Sequence, residues 1–68
     1  MAIREEIFNY YKQIKKLRDK LYETDYQAIK YAEGELSAEE YAPMKEQRKQ
    51  WREEINKLEL NISELRRR

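Results

Sequence analysis

Neither cysteine nor histidine occurs among the 68 residues of the chain. Without cysteine there is no disulfide framework, and without either residue the usual zinc ligand sets are out of reach. A Glu-x-x-His pair for a di-metal site is missing for the same reason, so the sequence predicts no metal and no cofactor. Glycine and proline occur once each, as Gly34 and Pro43, which leaves few places for a helix to end. Long apolar runs are lacking as well: Ile3 is followed at once by Arg4, Glu5 and Glu6, and nothing spans a bilayer or resembles a leader. The expectation is a soluble cytoplasmic protein with no membrane partner. Charge of one sign is also absent, since 15 Lys and Arg face 14 Asp and Glu. Such a balance gives no bulk field that would favour duplex nucleic acid or mimic it.

What the chain does have is charge in quantity, 43% of all residues, and much Ala, Glu, Lys, Leu and Arg, a composition that points to an all-α fold. At this length it forms one domain, residues 1–68, whose burial barely offsets the entropy of ordering it. Self-association or a partner is expected to supply the rest.

Ile3, Ile7, Tyr10, Ile14, Leu17, Leu21, Thr24, Ala28 and Tyr31 step by fours and threes, the spacing of a coiled-coil seam. Phe8, Tyr11, Tyr22, Tyr26 and Ile29 add a second apolar row on the same helix, so that its sticky arc exceeds half the circumference. One partner helix cannot cover both rows. Phe8, Tyr11, Arg18, Leu21, Tyr22, Asp25 and Ile29 are therefore the candidate oligomer interface. Arg18 and Asp25 are seven residues apart, about 10 Å along a helix, too far to pair, and each is expected to find its counter-charge elsewhere.

Gly34 suits the left-handed position that closes a helix. Ser37 with Glu40 reads as a capping box, and Leu36 stands where it can staple the corner. Pro43 removes one amide donor and disfavours helical geometry at Ala42. The expected boundaries are a helix over about 2–33, a turn at 34–37, a short helix at 38–42, a bend, and a second helix over about 43–67. Met44, Arg48, Trp51, Ile55, Leu58, Ile62 and Leu65 give that helix a single seam, with Leu60 on its far side. Laid antiparallel, Ile7 falls opposite Ile62, Ile14 opposite Ile55, Leu17 opposite Trp51 and Ala28 opposite Tyr41. The fold class expected is an all-α, coiled-coil-like antiparallel two-helix hairpin with a Pro kink, assembling into an oligomeric helical bundle such as a two-fold dimer. Arg66, Arg67 and Arg68 complement the negative end of the second helix dipole.

Catalysis without His or Cys would fall to Asp, Glu, Lys, Tyr or Ser, which need a concave and partly dry pocket to shift their pKa values. A two-helix hairpin has no such interior, so no catalytic residue is assigned and the chain is read as a non-enzyme. Binding remains. Tyr26, Lys30, Tyr41, Lys45, Arg48 and Arg52 are the candidate ligand- or partner-binding residues, because aromatic faces beside cations suit a stacked base with its phosphates or a protein hot spot. Arg48 stands at a seam position within reach of Asp25, and its counterpart is either that carboxylate or a ligand. The alternative for the aromatics is packing in the core.

The run from Thr24 to Glu59, with Asp25-Tyr26, Ile29-Lys30, Glu33-Gly34, Tyr41, Arg48, Trp51-Arg52 and Ile55-Asn56, resembles a pattern in small uncharacterised helical proteins encoded by phages and prophages of Gram-positive bacteria. It covers about half of the chain. The resemblance implies a phage origin and attaches no activity; joined to the cytoplasmic reading above, it makes the host cytoplasm the expected location. Two functions follow as expectations. One is a non-catalytic homo-oligomeric binder, a counter-defence protein that sequesters a small phosphorylated ligand such as a signal nucleotide or blocks a host protein. The other is a structural or assembly accessory coiled coil of a phage particle.

Overall fold

A computed structural model describes residues 2–67. Two helices, α1 (Ala2–Ala32) and α2 (Ala38–Arg66), run antiparallel. At a rise of 1.5 Å per residue a helix of 31 residues is about 46 Å long, and the hairpin measures 49 × 16 × 15 Å. Among the described residues no helix is long and apolar enough to cross a membrane.

The corner forms where the turn residues require it. Gly34 has φ +82°, and its amide donates to the Tyr31 carbonyl while the Glu35 amide reaches the Lys30 carbonyl at 2.8 Å. This pair of bonds is the Schellman closure, which consumes two carbonyls the helix end would otherwise leave open. On the other side of the turn Ser37 Oγ accepts from the Glu40 amide at 3.0 Å, and the Ser37 amide donates to Glu40 Oε1 at 3.1 Å. The capping box is complete. Half-buried Leu36 and buried Tyr41 occupy the flanking positions of a hydrophobic staple. Ser37→Ala is expected to remove about 1 kcal/mol. Gly34→Val should lose more than that, because a β-branched side chain is strained at positive φ even though a Cβ there meets no atom within 4 Å. Thermal unfolding of the two variants ranks them, and small, equal losses would contradict the closure.

Pro43 does not divide the second helix. Residues 38–42 and 43–66 form one element with Pro43 inside it, which corrects the expected short helix and restart. The reason lies in position. Pro43 lacks the amide that would bond the Glu39 carbonyl, and Glu39 is exposed in the first turn, where water can take that carbonyl. The complete cap and the burial of Tyr41 hold the turn on the other side. The helix stops one residue short of the expected end, with Arg67 as its cap, its amide shared between the Ser63 and Glu64 carbonyls. Arg68, the last of the three arginines assigned to the dipole, lies outside the described residues.

The core is one stripe: Ile14, Leu17, Ile55, Leu58 and Ile62 are buried, with Ile7, Tyr10, Leu21 and Trp51 packed against them. Both seams read from the sequence therefore meet. Near the corner Tyr41 stacks on Tyr31, three residues beyond the Ala28 expected opposite it, at 4.7 Å between ring centroids. Two aromatic rings give more contact area there than a ring on an alanine would.

Candidate functional site

The six residues expected to bind a ligand do not share one cleft. Tyr41 is buried against Tyr31, so no face of its ring is open to stack a base. Arg48 is held on three sides. Its Nη1 donates to the Leu21 carbonyl and to Thr24 Oγ1, each at 2.7 Å, and its Nη2 donates to Asp25 Oδ1 at 2.7 Å. The Arg48 side chain is only 12% exposed, whereas that of Asp25 is 50% exposed. Of the two counterparts open to Arg48, the carboxylate is the one the fold supplies, together with a hydroxyl and a main-chain oxygen. Thr24 adds to this by turning its own hydroxyl to the Lys20 carbonyl at 2.9 Å, which leaves its oxygen free to accept. Tyr26, Lys30, Lys45 and Arg52 remain exposed, with the Lys30 ammonium over the Tyr26 ring at 5.9 Å. The expected site thus loses its stacking ring and its central cation to packing.

The proposed interface set also divides. Leu21 packs on the intrachain core, Asp25 holds Arg48, and Arg18 reaches Glu59 across the hairpin at 3.5 Å. Both separated charges have found their counterparts on α2. The rest of the row stays uncovered: Phe8 is 59% exposed, Tyr11 45%, Tyr22 81%, Tyr26 57% and Ile29 56%. At 100° per residue these five fall within an arc of about 60° on α1, roughly a third of a turn away from the buried stripe.

A feature not foreseen from the sequence lies toward the open end. A groove of about 480 Å³ is lined by Tyr11, Ile14, Arg18, Glu59, Ile62, Ser63, Arg66 and Arg67. Arg66 crosses from the end of α2 to α1, where its Nη2 donates to the Tyr11 hydroxyl at 2.5 Å and its guanidinium stands 5.8 Å from the ring centre. Three arginines, one glutamate and two hydroxyl-bearing residues thus line the groove, a donor-rich set suited to an anion. None of the six expected ligand residues lines it. The signal available was the step of four from seam residue Ile62 to Arg66, which carries that arginine to the face opposite the N-terminal half of α1. Preferring the dipole to a basic recognition tail as the role of the terminal arginines hid it.

Comparison with protein-family models, with curated proteins and with solved structures finds no match to this chain.

Proposed function

We propose that the chain acts by binding, without catalysis, as a homo-oligomer that buries the outer row of α1. The uncovered row itself carries this reading. A folded monomer of 8.5 kDa is expected to expose about 4,700 Å², and the hairpin exposes 5693 Å². The excess, about 1,000 Å², is close to the roughly 800 Å² that each partner contributes to a standard interface. The ligand class that fits best is a small phosphorylated molecule in the groove beside Arg18, Arg66 and Arg67, with Tyr11 as the aromatic wall. Such a binder would serve as a counter-defence protein in a host cytoplasm, a role that rests on its ligand chemistry and not on the resemblance, which attaches no activity. A second reading, an accessory assembly part of a phage particle, is favoured by the burial of Tyr41 and the capture of Arg48, which turn two candidate binding residues into packing.

Light scattering after gel filtration tests the assembly: a mass above one chain is expected at micromolar concentration, with thermal stability rising as protein is added. A folded monomer under those conditions would remove the reading. The same samples, heated with a panel of linear and cyclic nucleotides, test the ligand. An upward shift that disappears in Arg66→Ala supports the binder, and no shift with any nucleotide leaves the accessory reading.

A further inference from the structure

The outer row of α1 is not continuous. Phe8 and Tyr11 form one apolar cluster, Tyr22, Tyr26 and Ile29 form another, and the turns between them present Lys15, Arg18 and Asp19. Between Tyr11 and Tyr22 lie about 16 Å of helix. We infer that this face pairs with the same face of a second copy in antiparallel orientation, about a two-fold axis passing between Arg18 and Asp19. The inference rests on the self-association proposed above and specifies its geometry.

Charge and shape both select the orientation. In a parallel pair each residue meets its own copy, so Lys15 would oppose Lys15 and Arg18 would oppose Arg18, and like charges directly across an interface are penalised. In the antiparallel pair the clusters exchange: Phe8 faces Ile29 of the second copy and Tyr11 faces its Tyr26. Arg18 then meets Asp19 of the second copy, and Lys15 lies against the ring of its Tyr22, where an ammonium over an aromatic face is favourable. Such contacts already occur within the hairpin, with Lys12 over Phe8 at 4.7 Å and Lys20 over Trp51 at 5.8 Å. The ion pairs on this face, Lys15 with Asp19 at 3.1 Å and Arg18 with Glu59 at 3.5 Å, are of the solvated kind that contribute least to stability. The Arg66 contact with the Tyr11 ring and hydroxyl must share that ring with Tyr26 of the second copy. An isologous pairing of this kind also closes on itself, so the row is covered without leaving a surface that could extend into a filament.

The absence of cysteine makes the orientation directly readable. Arg4 and Glu33 are both exposed and flank the row on the same side of α1, about 43 Å apart along the helix direction. In the antiparallel pair Arg4 of one copy lies beside Glu33 of the other, whereas the two copies of either residue sit at opposite ends. Full-length Arg4→Cys and Glu33→Cys proteins are mixed at a concentration where light scattering reports self-association, then oxidised and resolved without reductant. The expected result is a hetero-linked species in excess of the statistical mixture, with either variant alone losing almost all cross-linking. Efficient homo-linking of each variant alone would show a parallel pair and overturn the inference. Failure of every combination in a sample that is oligomeric by mass would place the interface on another face, overturning the orientation while leaving self-association intact. A monomer by mass would overturn both.

Discussion

Ile14→Ala is expected to unfold most of the protein at room temperature, whereas Leu60→Ala is expected to leave the unfolding curve unchanged. Ile14 is the most completely buried of the core residues, at 3% exposure, and Leu60 is 65% exposed on the far side of α2. Removing most of a buried isoleucine side chain from a well-packed site loses about 2–5 kcal/mol, the transfer term plus the void left behind. A hairpin of this size has only about 3–5 kcal/mol to lose from a single core. Five buried side chains make up that core, so no neighbouring layer can collapse into the gap. Leu60 removes only exposed surface and should stay within about 0.5 kcal/mol. Circular dichroism during denaturant unfolding, at one fixed protein concentration so that association does not move the baseline, measures both. Comparable losses for the two variants would mean that the buried stripe is not what holds the helices together.

Most of the fold was legible because it depends on local rules. The seams of α1 and α2 are periodicities of the side chains themselves, and they meet in the core as the spacing of Ile14, Leu17, Ile55 and Ile62 implied. Gly34 and Ser37 with Glu40 announce the corner through backbone requirements that few other residues meet. Pro43 was misread because its effect depends on a carbonyl four residues earlier and on whether water reaches it, which is a property of the folded surface. Tyr41 and Arg48 stayed open between two roles for a related reason. A tyrosine or arginine at a seam position has the same sequence signature whether it stacks on a ligand or on Tyr31, and whether it pairs with a phosphate or with Asp25. The groove at the open end depends on how far Arg66 reaches across to Tyr11, a tertiary distance with no local signal.

Asp25 and Arg48 are expected to respond unequally, with the loss falling on the partner that looks less important. Deleting the cation in Arg48→Met removes three hydrogen bonds, yet it strands nothing. Asp25 is half exposed and takes up water. Thr24 keeps its hydroxyl proton on either the Lys20 or the Leu21 carbonyl, at 2.9 and 3.1 Å, and both carbonyls lie inside α1, where the helix amides four residues on bond them. Methionine is long and flexible enough to fill the channel of the arginine stem. Stability should change by less than about 1 kcal/mol, and an increase is compatible with the way apolar replacements of buried charges behave. Deleting the carboxylate in Asp25→Leu is different, because the guanidinium then stays largely out of water with two neutral acceptors only. Breaking a fully buried pair this way costs about 3–5 kcal/mol, and the half exposure of Asp25 reduces the expectation here to about 2 kcal/mol. Combining the two substitutions removes the stranded charge, so the double variant should return close to Arg48→Met, with a coupling of about 1–2 kcal/mol in the cycle. Chemical denaturation of the four proteins at a single concentration provides the cycle. If Arg48→Met proved the more damaging single change, or if the double variant were no better than Asp25→Leu, the arginine would be anchoring the helices through its neutral contacts, and the carboxylate would be incidental to it.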